Sequence, residues 1–141
     1  MILREMLLWR MRELGAEFSD ELEAERVVRA ALAGLAETLP RAVRFLFASE
    51  LPRELRDVLL LHRDRRPIER EEFLAALHRR ANLTLAHART HGPIVCRALS
   101  DLMPIDVRAR VMHALQPSMR ELMTGQPAID DRGGYSIARS T

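Results

Sequence analysis

The side chains with the most chemical potential are His87-Ala88-Arg89-Thr90-His91 and, five positions on, Cys96. Histidines four apart share one face of a helix and can hold one metal ion, for which a cysteine would be a third ligand. No carboxylate stands at the spacing of zinc-binding helices, however. A shift of 64 residues, described below, also puts His91 and Cys96 in register with Val27 and Leu32, which are apolar positions. Buried cysteines commonly act as small hydrophobes, so the expectation is packing, with the Cys96 thiol protonated at neutral pH. A second cluster, Arg63, Arg65, Arg66, Arg79 and Arg80, could bind phosphate. No aromatic is interleaved among them to stack bases, and Asp64, Glu69, Glu71 and Glu72 offset their field. An ordinary solvated face is preferred there, with nucleic-acid or phosphate binding as the runner-up. The sequence has no glycine-rich phosphate loop, no nucleophile elbow and no carboxylate pair marked out by spacing. It therefore reads as non-enzymatic, with no catalytic residue, cofactor or metal assigned.

The elements that must position these groups recur along the chain. Leu39-Pro40-Arg41-Ala42-Val43-Arg44 and Leu51-Pro52-Arg53-Glu54-Leu55-Arg56 return 64 residues later as Met103-Pro104-Ile105-Asp106-Val107-Arg108 and Leu115-Gln116-Pro117-Ser118-Met119-Arg120. Pro40/Pro104, Val43/Val107, Arg44/Arg108, Leu51/Leu115 and Arg56/Arg120 are identical without a gap. Arg4-Glu5-Met6-Leu7-Leu8 is echoed by Arg70-Glu71-Glu72-Phe73-Leu74 at a shift of 66. The spacing predicts a helix over 2–14. A second is opened by the capping box of Asp20 and Glu23, and two more start at Pro40 and Pro52, because proline suits the first helical turn. The second series begins at Glu69, Thr84, Pro104 and Pro117. Gly92-Pro93 is expected to end a short first segment of the helix that Thr84 opens, with Pro93 starting the next.

The fold class expected is all-α: two tandem four-helix repeats, 1–61 and 69–124, packed into one globule, with 62–68 as linker and 125–141 as a flexible tail. Leu32, Leu35, Val43, Leu51, Leu99, Val107 and Leu115 should be nearly inaccessible. All twenty-two basic residues are arginine; residues 1–61 carry nine against eleven acids, and residues 62–124 carry eleven against seven. Codon bias accounts for this more simply than anion recognition does. With a single cysteine an intramolecular disulfide is impossible. The charges at Arg4 and Glu5 interrupt any signal-peptide run, and nothing approaches a membrane span, so a cytoplasmic bacterial-type protein is expected.

With these features in place, the chain resembles the bacterial domain-of-unknown-function family 2267, whose members are tandem helical repeats. The resemblance rests on Glu23-Ala24-Glu25-Arg26-Val27-Val28-Arg29-Ala30-Ala31-Leu32, Leu51-Pro52-Arg53-Glu54-Leu55-Arg56 and Glu71-Glu72-Phe73-Leu74. It covers nearly all of residues 4–124 and implies the fold; it carries over no catalytic residues. The second unit departs from the pattern, since Gln116-Pro117 replaces Leu-Pro and His91-Gly92-Pro93 interrupts the sixth helix.

One feature belongs to the first unit alone. At about 100° per residue, Leu7, Leu8, Met11 and Leu14 occupy one side of the first helix while Ile2, Met6 and Trp9 fall near the other. The counterparts of Met6 and Trp9 are Glu72 and Ala75. This second apolar stripe should be covered by the other repeat or by another subunit, burying Trp9. The functional expectation is an interaction or regulatory module that self-associates or binds a protein partner.

Overall fold

The computed structural model describes residues 1–61 and 65–125. Among these the chain is helical throughout, with no strand. The helices are α1 (Arg4–Glu13), α2 (Glu21–Thr38), α3 (Arg41–Ala48), α4 (Arg53–Leu60), α5 (Arg70–Ala81), α6 (Leu85–Leu102), α7 (Ile105–Ala114) and α8 (Pro117–Thr124). Arg63 and all but the first residue of the expected tail lie outside the described residues.

The starts follow from side-chain capping. Asp20 Oδ1 accepts the Glu23 N–H at 2.8 Å, and Thr84 Oγ1 accepts the His87 N–H at 3.1 Å, satisfying amides that a helix leaves without partners at its first turn. Glu23 reaches back one residue further than expected, accepting from the Ser19 backbone N–H and hydroxyl rather than from Asp20. Those bonds hold its carboxyl below the ordinary carboxylate range. Pro40, Pro52 and Pro104 occupy the position just before their helices in extended geometry, and Pro117 takes the first helical position.

Arginine closes several of the other ends. Arg56 Nε–H donates to Leu51 O at 2.9 Å and Arg120 Nε–H to Met112 O and Leu115 O at 3.0 and 3.1 Å. Arg108 bonds the carbonyls of Ser100, Asp101 and Met103 at 2.7–3.3 Å. A planar fork of donors suits several carbonyls converging at a helix end. The abundance of arginine thus has structural use, whatever its genomic origin.

The core includes Leu32, Leu35, Leu51, Leu99, Val107 and Leu115, as expected. Val43 is the exception: it is half-buried, and the next residue, Arg44, lies inside, with its Nη1 donating to Leu59 O at 3.2 Å. The α3 register is therefore turned so that Arg44 and Phe47 face inward. Hydrophobic patterning misses this because a guanidinium enters a core when carbonyls meet it.

The helices cross between the two parts of the chain. α1 packs on α6, α5 packs on both α2 and α6, and α3 meets α7. α6 runs unbroken through Pro93, correcting the expected division at Gly92. Gly92 lies under α5, where an added Cβ would stand 2.6 Å from Leu74 Cδ2 and 3.0 Å from Leu77 Cδ2. Close packing there keeps one continuous helix despite the backbone bond that proline removes. The segment before α5 is fastened down: Arg65 Nε–H donates to Thr38 O at 3.0 Å, Arg66 N–H to Glu37 O at 2.9 Å, and Ile68 is buried.

Candidate functional site

α6 places His87 and His91 one turn apart, but gives them different work. The Glu17 N–H donates to His91 Nε2 at 3.2 Å. The ring proton is then on Nδ1, which lies 3.1 Å from His87 O and donates to it. Both nitrogens of His91 are occupied, and its ring packs on Phe18 at 4.8 Å between centroids. His91 thus pins the loop after α1 to α6, while His87 is exposed and meets the His91 ring edge-on at 5.0 Å. Cys96 is five residues beyond His91, about 140° around the helix. It is fully buried, and loss of hydration pushes its thiol up to about 12. Among the described residues no group of three His, Cys, Asp or Glu side chains is placed to hold a metal ion. Geometry therefore separates the three candidates His87, His91 and Cys96.

The arginine cluster is drawn together around an acid that spacing did not single out. Glu37, in the last turn of α2, receives Arg66 at 3.3 Å and also Arg80, while Arg66 reaches Glu72 at 2.7 Å. The Arg66 guanidinium holds the Glu72 carboxyl below its ordinary range. With only 13% of its side chain exposed, Glu37 is the hub that ties the pre-α5 segment to α2 and α5. Its signal in the sequence was an acid near a helix C-terminus, where the helix dipole disfavours negative charge. Arg65 bonds backbone, and Arg79 is exposed with no side-chain partner among the described residues.

The first helix gives the third candidate. Ile2 is 0% exposed and its N–H donates to Glu50 O at 2.6 Å. Because α1 begins only at Arg4, the helical angle used to place Ile2 on the outer stripe did not apply to it; Ile2 belongs to the core. Met6 and Trp9 are 39% and 62% exposed, on the side opposite Leu7 and Met11. Of the two coverings expected for Trp9, the other repeat and another subunit, the first does not occur. Beside α1 a groove opens, lined by Arg4, Leu7, Leu8, Val28, Glu54 and Leu55.

A family model matches residues 11–122 and is described as "Uncharacterized conserved protein (DUF2267)". The chain belongs to this family. No curated protein matches it. The DUF2267 match takes in α2 through α7 whole, with His87, His91, Cys96 and the arginine cluster. It begins at Met11, so Met6 and Trp9 precede it. No helix among the described residues of this DUF2267 chain is long and apolar enough to cross a membrane.

Proposed function

We propose that the protein is a non-enzymatic interaction module with a regulatory role, self-associating or binding a protein partner in the cytoplasm through the outer face of α1. The observation that carries this is Trp9, whose indole is 62% exposed beside Met6. Tryptophan is enriched among residues that anchor interfaces, and apolar groups gathered on a surface mark contact sites. The chemistry-bearing side chains support a non-catalytic role: His91 uses both nitrogens structurally, Cys96 is sealed as a thiol, and Arg66 and Arg80 are engaged with Glu37. That engagement also makes phosphate or nucleic-acid binding the weaker reading.

The scaffold in this proposal is two tandem four-helix units, 1–61 and 69–124, joined through 62–68. Matched local features 64 residues apart support it: the caps Asp20 and Thr84, the prolines Pro40 and Pro104, and the Arg56–Leu51 and Arg120–Leu115 hydrogen bonds. The reciprocal docking of α1 on α6 and α5 on α2 agrees with it.

The test compares the full chain with Trp9→Glu, a substitution on an exposed site that should leave helix content and melting temperature unchanged. Solution mass as a function of concentration, and the proteins recovered from the source cell, should differ between the two. Identical mass and identical recovery would overturn α1 as the docking face.

A further inference from the structure

The charges on α1 fall into two groups. Arg4 is directed at Glu21 and Glu25, and Arg10 at Glu13 and Asp101. Glu5 and Arg12 are exposed, and their side chains have no ion pair or hydrogen bond with any described residue. Both lie on the uncovered side of the helix. At 100° per residue they stand about 40° and 60° from Trp9, on the same flank, while Met6 stands about 60° away on the other. They are opposite in sign, at opposite ends of the helix, and about 10 Å apart along its axis at 1.5 Å per residue.

That arrangement is self-complementary in one orientation. When two copies of α1 lie antiparallel about a two-fold axis passing between residues 8 and 9, each Glu5 meets the Arg12 of the other chain. The two Trp9 rings then meet beside the axis, each within reach of the other chain's Met6. In a parallel pair the two-fold axis would run along the helices and put the Glu5 and Arg12 flanks of the two copies on opposite sides, so that neither Glu5–Arg12 contact forms. Two-fold pairs use the same patch on both subunits, and like charges in register oppose association.

We infer that the outer face of α1 is a docking surface for a second copy of this chain, the helices antiparallel with two Glu5–Arg12 ion pairs flanking Trp9. This rests on the reading of α1 as the docking face and adds its occupant and register. A single helix pair falls in the class of weak contacts below ~1,200 Å², so association is read from the concentration dependence of mass.

The experiment is sedimentation equilibrium of the full chain from micromolar to millimolar concentration, with Glu5→Arg, with Arg12→Glu, and with an equimolar mixture of the two variants. The unsubstituted chain should approach the mass of two chains. Each single variant places like charges opposite each other twice and should weaken association by about tenfold or more. In the mixture, Glu5→Arg chains are basic at both positions and Arg12→Glu chains acidic at both. A mixed pair therefore opposes unlike charges twice across the interface and should restore association. All variants are at exposed sites, and circular dichroism checks their fold. A mixture as monomeric as its components would overturn the antiparallel register, as would single variants that associate like the unsubstituted chain. A chain that stays monomeric throughout would overturn the second copy as occupant; recovery of another protein that depends on Trp9 would then separate that failure from failure of the α1 reading.

Discussion

α1 and α5 begin from nearly the same residues, Arg4-Glu5 and Arg70-Glu71, followed by apolar ridges of the same spacing. α5 buries Phe73, Leu74, Leu77 and Ala81, while α1 buries only Leu7 and Met11. The receiving surfaces differ. α5 sinks between two glycines: Gly34 on α2, where an added Cβ would stand 2.6 Å from Phe73 Cε1, and Gly92 on α6 under Leu74 and Leu77. Counting back 64 residues from Gly92 leads to Val28, which lines the groove separating α1 from α2 and α4. A branched side chain thus stands where the other half has none. One helix becomes core, and the other keeps a surface to offer.

The largest expected effect sets Phe73 against Trp9. Phe73→Ala should cost about 3–5 kcal/mol by leaving a cavity. Trp9→Ala should fall within about 0.5 kcal/mol of the unsubstituted chain at dilute concentration, as surface changes do. Urea unfolding of both variants measures this, and a comparable loss in the two would erase the distinction between the helices. Gly92→Val places in α6 the residue that α2 carries and should cost roughly 1–3 kcal/mol through overpacking against α5. A neutral outcome would mean that α5 has room to move outward.

The helix that carries both, α6, provides a pH test. The folded state holds the Cys96 proton more tightly than the ordinary value of 9.0, up to about 12, while the unfolded chain releases it. Stability from this group is therefore fully present below pH 9 and lost as pH rises between the two values, at about 1.4 kcal/mol per pH unit. Cys96→Ala should remove that part of the alkaline slope in unfolding curves at pH 8 to 10.5. Equal slopes would show the thiol to be hydrated. Smallest are the caps: Asp20→Ala and Thr84→Ala should each cost about 1 kcal/mol. A near match between the two in thermal unfolding would confine the contrast between α1 and α5 to packing.

What was legible in the sequence were features whose cause is local. Asp20, Thr84 and the prolines act within a turn of themselves, so their types and positions sufficed. The apolar spacing of Leu32, Leu35 and Leu99 sufficed because each has its whole helix as context, whereas Leu51 is buried in the turn between α3 and α4. The misses have non-local causes. Ile2 is buried by a backbone bond to Glu50, and its angle could not be read from a helix that starts two residues later. Arg44 enters the core because Leu59 O meets it from another helix. Gly92-Pro93 is punctuation by type, yet α5 presses on that turn and α6 continues. Of the candidate site, the apolar character of Met6 and Trp9 was legible, but not that their own chain leaves them exposed. Glu37 as a hub was not, since its arginines arrive from residues 29 and 43 positions away.

The bond between Arg10 and Asp101 joins residues 91 positions apart, and that separation fixes an order of events during synthesis. When α1 leaves the ribosome, the helix α6 on which it packs does not yet exist. At about 5–20 residues per second its template follows roughly 5–20 s later. For that interval the side of α1 that meets α6 is open, as is the one carrying Trp9. Of the helix contacts described above, that of α1 with α6 thus waits longest for its second member to be made.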